Sequence, residues 1–377
     1  MKKLLILPIL VITTLFSQNI TEYCECDPCM CDPCECGPSN ADCCDPCVFN
    51  PPCPPNSHGY NTPYVYDLCS CFDAYVKASF LYWEAYEDNL ELGMTTTSNN
   101  ADLPILNGVI IDMDYEYEPG FKIGMGFLFG CDNWDFNVEY TRYHPSITSS
   151  ATRPGDGILM AYWMHPESTP FTSTLSGSSR WDLEMDFVDF FLRREYWVGK
   201  ELTLRPFLGV RAAWMDQTYT ANYTGLDTVP DDTARVIAKA KYHGAGFSTG
   251  LHSKWLLCGG FRVFGNFLSS IIYTSYDLSG SQSLIVSGVI DPNEGIAYTQ
   301  DSKHSLRSNM EISIGLGWGN YVCGNKFFFD LALGYDFNVY WSQNAFKRFI
   351  SNANDRLTMY TGDLYIHGLN ITAKLHF

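Results

Sequence analysis

The chain has 377 residues, 46% hydrophobic and 18% charged, a composition that excludes disorder. Its formal charge of -18 excludes a nucleic-acid partner, because that binding needs a basic surface to displace counterions. Mean hydropathy is -0.11 and the one long apolar run is Leu4 to Phe16. A spanning helix needs about 20 apolar residues, so a polytopic helical membrane protein is excluded as well.

The N-terminus carries an export signature. Lys2 and Lys3 precede the apolar run, and Leu15-Phe16-Ser17 offers a cleavage site, so residues 1–17 read as a secretory signal. The run is too short for an anchor. No cysteine follows it directly, which argues against a lipoprotein.

The next segment, 18–71, reads as a periplasmic cysteine-rich stretch. It holds Cys24, Cys26, Cys29, Cys31, Cys34, Cys36, Cys43, Cys44, Cys47, Cys53, Cys69 and Cys71, with Cys-Asp-Pro-Cys three times over. So much Cys and Pro cannot bury a core; the segment is cross-linked, metal-bound or left without fixed structure. The Cys-x-x-Cys spacings suit a thiolate metal cluster. Export to an oxidising compartment and the neighbouring carboxylates favour disulfides instead. No thioredoxin-like pattern accompanies them, and no cofactor is expected.

From Phe72 the pattern changes to long segments alternating at period two. In 134–140 one face is Trp134, Phe136, Val138 and Tyr140, the other Asp135, Asn137 and Glu139. In 202–214 the apolar face runs Leu202, Leu204, Pro206, Leu208, Val210, Ala212 and Trp214 against Thr203, Arg205, Gly209 and Arg211. In 306–318 Leu306, Met310, Ile312, Ile314, Leu316 and Trp318 oppose Arg307, Asn309, Glu311 and Ser313. Sandwich strands average about 5–6 residues, and these are longer. With 15% aromatic residues and an export signal, the fold expected over 72–377 is an all-β, antiparallel transmembrane barrel.

Ten strands are predicted, at 73–86, 114–129, 134–144, 180–196, 201–216, 241–256, 260–275, 303–318, 326–342 and 358–377. Asn107 to Met113 and Ser281 to Ile290 could raise the number to 12–14. Short turns (130–133, 197–200, 257–259, 319–325) alternate with long connections (87–113, 145–179, 217–240, 276–302, 343–357). In outer-membrane barrels the short turns are periplasmic and the long loops external. Tyr82, Trp83, Trp181, Trp214, Trp255, Trp318, Tyr340 and Trp341 are expected in the interfacial girdles. Cys131, Cys258 and Cys323 all fall in short turns, so every cysteine is expected on the periplasmic side as part of one disulfide network.

The lumen is expected to carry opposed charges. Asp182, Glu184 and Asp186 are read as its acids, facing Lys77, Lys122, Arg205, Arg211, Arg307 or Lys374, with Glu139 and Glu311 also inside. Net acidity is assigned to the leader and long loops (Glu87, Asp88, Asp231, Asp232, Asp291, Glu294). The last strand alternates to a terminal Phe377, which resembles the signal read by the barrel-assembly machinery.

Several motifs, in order, resemble one family: KASFLYWEAYEDNL (77–90), EPGFKIGMGF (118–127), DNWDFNVEYTRYH (132–144), ELTLRPFLGVRAAWMDQ (201–217) and LALGYDFNVYWSQN (331–344). They look like the Legionella-type major outer membrane protein family, also expanded in Chlamydia-related bacteria. The resemblance spans roughly Phe72 to Phe377 and implies a pore-forming outer-membrane barrel without catalytic residues. The cysteine-rich leader fits Chlamydia-like envelopes stiffened by disulfides. Where the family tends to have Gly-x-Gly-Pro-Arg-x-Gly, this chain has Gly244-Ala245-Gly246-Phe247-Ser248-Thr249-Gly250, so an arginine is missing.

No HExxH, Walker or GxSxG motif is present, and the histidines are scattered. A His–Asp pair at the rim would be the mark of an outer-membrane protease. Two functions are therefore carried forward. One is a porin for small hydrophilic solutes or ions, with a periplasmic cysteine network cross-linking the envelope. The other is a structural or adhesive protein with a narrow or plugged barrel, since about 8 strands are filled by side chains while 16–18 leave a channel. The expected partners are outer-membrane lipid, the assembly machinery, small solutes, and disulfide-linked envelope proteins or further copies of the chain.

Overall fold

Period-two alternation gives each strand one apolar and one polar face, and a closed sheet satisfies every backbone group without leaving an edge in lipid. The computed structural model describes residues 74–96, 108–129, 134–155, 157–165, 174–226, 229–286, 289–290, 295–322, 326–349, 357–359 and 361–377. The predicted signal at 1–17, the 18–71 segment, Cys131 and Cys323 lie outside the described residues.

Ten antiparallel strands form the wall: β1 (Ala74–Glu87), β2 (Tyr117–Phe129), β3 (Trp134–Tyr143), β4 (Thr174–Arg194), β5 (Leu202–Leu226), β6 (Val229–Leu256), β7 (Phe261–Val286), β8 (Ile296–Val322), β9 (Phe327–Asn344) and β10 (Gly362–His376). Each pairs with its sequence neighbours, and β1 pairs with β10 from Tyr75–His376 to Glu87–Leu364, closing the barrel. Backbone hydrogen bonds between Ala74 and Phe377, at 3.0 and 2.9 Å, finish that seam. The turn between β6 and β7 needs two left-handed positions, which Gly259 (φ 75°) and Gly260 (φ 80°) supply.

The strand number is ten, not 12–14. Residues 108–111 form a short strand outside the wall, paired with 93–96, which in turn pairs with 158–161. Residues 281–286 are the end of β7, and Val289–Ile290 folds back on it. The predicted long connections 217–240 and 276–302 also need correction, because they are mostly strand. β5 to β8 run 25, 28, 26 and 27 residues, whereas about 9–11 cross a bilayer.

The excess length explains why those stretches read as loops. Along β4 the outward residues Phe190 and Leu192 are exposed and apolar, while inward Asp189 and Arg193 are polar and buried. Toward the long-connection end the faces exchange character. Trp181, Leu183, Met185 and Phe187 point inward and are buried, and Arg180, Asp182, Glu184 and Asp186 point outward. β5 repeats the exchange, from outward Leu208, Val210 and Trp214 to inward Met215, Tyr219 and Tyr223. β6 passes from outward Phe247, Leu251 and Trp255 to inward Tyr242, Ala240 and Ala238; β7 from outward Phe267, Ile271 and Tyr273 to inward Tyr276 and Leu278. An apolar outer face marks lipid contact, and an apolar inner face under a polar outer one marks a water-surrounded head. The wall therefore rises past the membrane, highest on β4 to β8.

The inside of that tall wall is filled from the lower side. Leu90, Leu92, Trp163, Ala345 and Phe346, from the connections after β1, β3 and β9, pack with Trp83, Trp181, Met215, Tyr219, Tyr223 and Leu364 in one buried cluster. Trp163 Nε1 donates to the Glu91 carbonyl at 2.9 Å, and the Tyr219 and Tyr223 hydroxyls donate to the Leu90 and Leu92 carbonyls at 3.2 and 2.6 Å. The Arg348 guanidinium sits 4.1 Å over the Trp163 ring. Trp83, Trp181 and Tyr340 belong to this interior rather than to a girdle. Tyr82, Trp214, Trp255 and Trp341 are exposed on the outside.

Candidate functional site: the barrel interior

Below the head, at the level of the lipid-facing band, the interior is polar and holds a cavity of about 210 Å³. Lys77, Lys122, Glu139, Arg205, Arg211, Glu311 and Lys374 all line it. These residues share a parity within their strands, opposite to the apolar residues that face lipid. Arg307 also points inward but higher, its guanidinium 5.1 Å over the Tyr276 ring.

Asp182, Glu184 and Asp186 are not lumen residues, and their assignment is corrected. They stand on the outer face of β4 above the lipid band, where the exchange of faces reverses the meaning of the polar parity. Asp182 pairs with Arg180 at 2.9 Å. Asp186 accepts from the Tyr140 hydroxyl at 2.5 Å and from His144 Nε2 at 3.0 Å. This His–Asp pair lies on the outside of the wall. The interior acids are Glu139 and Glu311, already placed there by alternation, together with Asp135, Asp189, Glu195, Asp330 and Asp336; of these, Asp135, Asp189, Asp330 and Asp336 follow from alternation once the parity of each strand is fixed.

The charges are bridged across the interior. Arg211 on β5 donates through Nε and Nη2 to the Asp189 carboxylate at 2.7 and 3.0 Å, and through Nη1 to Glu311 on β8. Since β6 and β7 separate β5 from β8, the second contact crosses the lumen. Glu311 also accepts from Asn309 Nδ2 at 3.0 Å and from the Tyr340 hydroxyl at 3.2 Å. Arg262 on β7 forks onto Asp330 on β9 at 2.6 and 2.7 Å. Lys254 meets Glu195 at 2.9 Å. Lys77 pairs with Glu139, and Arg205 with Asp135, whose carboxylate also takes the Tyr75 hydroxyl at 3.0 Å. Such forked, buried pairs gain geometric definition, although their net contribution to stability is small once desolvation is counted.

Four cations that line the cavity rest on aromatic rings, Arg211 among them at 4.9 Å from the Phe187 ring. Lys122 lies 5.1 Å from the Trp83 ring and Lys374 3.5 Å from the Tyr75 ring. Arg193 lies over both Phe191 and Phe207, at 4.8 and 5.6 Å. Ser248, where the family pattern carries arginine, faces inward and is 1% exposed.

In the head, Glu87 and Asp232 are strand residues, not loop residues, and both are buried. Gln217 Nε2 donates to Glu87 at 2.7 Å, and burial pushes the Glu87 carboxyl well above the usual carboxylate range, with nearby Asp88 adding to the shift. Cys258, in the β6–β7 turn at the short-turn end, is disulfide-bonded. It is the one cysteine among the described residues.

Comparison with known proteins now bears on this architecture. The profile described as Legionella pneumophila major outer membrane protein precursor matches residues 67–377. The chain belongs to that family. It is accordingly an outer-membrane β-barrel protein. A comparison with curated proteins finds no match. Among solved structures, the outer membrane protease OmpT of Escherichia coli is similar at 11% identity, TM-score 0.42, over 82% of this chain and 98% of that one. A major outer membrane protein of Thermus thermophilus follows at 10% identity, TM-score 0.27, covering 82% and 100%. A Pseudomonas aeruginosa FadL homologue is similar at 8% identity, TM-score 0.25, covering 81% and 90%.

Proposed function

We propose that this family member is a porin-like barrel whose polar interior carries small hydrophilic solutes or ions and whose outer mouth is closed by the packed head. The observation that carries this reading is the charged inner wall at the level of the lipid-facing band, where Arg211, Asp189 and Glu311 span the lumen. A barrel serving only as an anchor is more readily filled with apolar side chains, because a buried ion pair recovers little of its desolvation cost. Passage then requires the segments around Leu90, Trp163 and Phe346 to withdraw. The chain acts by positioning charges and performs no catalysis.

The short-turn end faces the periplasm, as in other bacterial barrels. Residues 1–17 act as the export signal, and the 18–71 cysteines extend a disulfide network from that end. Its partners are envelope proteins or further copies of the chain. Phe377 and the last strand are read by the assembly machinery.

A second reading has its own support. The apolar head fills the outer mouth, as a plugged structural or adhesive barrel would. Single-channel conductance of the refolded full chain in a planar bilayer separates the two, with parallel measurements on chains lacking 18–71 and lacking 157–165. Discrete steps, larger or more frequent without 157–165, support the porin. Silence from all three folded proteins leaves the structural reading. Persistence of steps without 18–71 assigns that segment to cross-linking, which non-reducing gels then test directly.

A further inference from the structure

Five of the eight cations lining the cavity have carboxylate partners within ion-pair distance: Lys77, Arg205, Arg211, Lys254 and Arg262. Lys122, Arg193 and Lys374 are held differently. Their partners are the faces of Trp83, Phe191, Phe207 and Tyr75. A carboxylate neutralises the cation it holds, whereas an aromatic face orients a cation and leaves its formal charge intact. Among the described residues these three side chains have no carboxylate within ion-pair distance, and the eight cavity cations face seven carboxylates in all, because Arg211 takes two and Asp336, which Asn370 Nδ2 holds at 3.0 Å, pairs with none.

Arg193 adds an independent observation. It is 5% exposed; one of its Nη atoms donates to Asn137 Oδ1 at 2.8 Å, and its buried Nε has no hydrogen-bond partner. A buried donor left unsatisfied is costly and calls for an acceptor. Asn137 is itself fixed by donating to the Met125 carbonyl at 2.9 Å, so the guanidinium is held in place before anything binds. Arg193 and Lys374 both lie within a few residues of the short-turn ends of β4 and β10, and Lys122 stands deeper along β2.

We propose that the cavity is a binding site for a small multivalent oxyanion of the phosphate class. Arg193 and Lys374 receive the anion near the short-turn end, and Lys122 attracts it from deeper in the lumen. A guanidinium offers paired donors that match phosphate oxygens, and an ammonium adds a compact charge with three donors. The proposal rests on the polar-conduit reading and names its solute class. Such a barrel conducts anions in preference to cations despite the formal charge of -18 on the whole chain.

The test uses the full chain refolded in detergent with inorganic phosphate present throughout, so that access through a closed mouth is not limiting. Binding is followed by phosphorus NMR line broadening, with chloride as the competing control. Saturable broadening is expected, weakened several-fold in Lys374→Gln and at least tenfold in a chain carrying Lys122→Gln, Arg193→Gln and Lys374→Gln together. Where the triple variant does not fold, Lys374→Gln decides alone, because that side chain rests on a ring and supports no ion pair. Absence of saturable binding to the folded wild type, or an unchanged affinity in Lys374→Gln, overturns the site. Conductance steps from a barrel that binds no phosphate overturn the site and spare the porin reading. Phosphate binding by a barrel silent in bilayers supports the site and removes the porin reading.

Discussion

Trp163 lies flat on Tyr219, with ring centroids 4.2 Å apart and planes 26° apart, and through that stack a connection following β3 becomes part of the interior bounded by β5. Phe346 meets the same indole edge-on at 6.0 Å, and Arg348 caps it. One side chain thus joins three segments that approach the mouth from different strands. Trp163→Ala is expected to cost about 3–5 kcal/mol of head stability, as for other buried Trp truncations. Because β1 to β10 close without it, the barrel is expected to survive. The measurable outcome is a lower thermal transition for the head and more frequent channel opening in bilayers; unaltered opening would separate the stack from any gating role.

A different consequence follows from the charge bridge. Asp189 is 1% exposed and takes both forked bonds from Arg211. Asp189→Asn keeps the size but removes a charge that the buried guanidinium needs, and breaking one side of such a pair costs about 3–5 kcal/mol. Glu311 remains as a second partner, so the loss is expected toward the lower end of that range. Urea titration of the refolded barrel in lipid vesicles measures it. The companion Glu311→Gln is expected to cost less, because Asp189 retains the bidentate geometry.

The sequence conveyed the fold through one rule and misled through the same rule. Leu208, Val210 and Trp214 alternate with Arg205 and Arg211, and that alternation is enough to read a barrel strand and its lumen face. On β4 the same rule puts Asp182, Glu184 and Asp186 inside, because it equates polar residues with the lumen along the whole segment. The equation holds only where lipid surrounds the wall. Above the lipid, water takes lipid's place and the apolar set turns inward, as Trp181, Leu183 and Met185 do. The inversion is visible in the sequence as a change of apolar parity between Phe187 and Phe190. Recognising it requires knowing that the strand outlasts the membrane. Which charges meet across the lumen, such as Arg211 and Glu311, depends on the stagger of non-adjacent strands and had no local signal.

That inversion is itself testable with one substitution on each side of it. Leu208 is 63% exposed on the outer face of β5 within the apolar band. Leu208→Arg is expected to destabilise the barrel by about 2–4 kcal/mol, the cost of a lipid-facing arginine near the bilayer midplane. Thr218 points the same way ten residues along, paired in register with Asp182 and Lys239. Thr218→Arg should change stability by less than about 1 kcal/mol, the figure for positions at or beyond the interface. Equal losses at the two sites would place the whole strand in one environment.

Glu87 supplies a pH dependence whose direction is fixed by its surroundings. Burial raises its carboxyl in the folded state, so the native protein holds this proton more tightly than the unfolded chain, whose glutamates titrate near ~4.3. Folding is then favoured most at acid pH. Stability falls as pH rises from the unfolded value through the raised folded one, since the native state must surrender a proton that it binds. Glu87→Gln keeps an oxygen to accept from Gln217 and has no proton to lose. Thermal unfolding of the two proteins should differ little near ~pH 4, and the variant should become the more stable as pH approaches ~8. A wild type that instead gains stability relative to the variant between those limits would mean that Glu87 is charged in the folded head, with a cation paired to it.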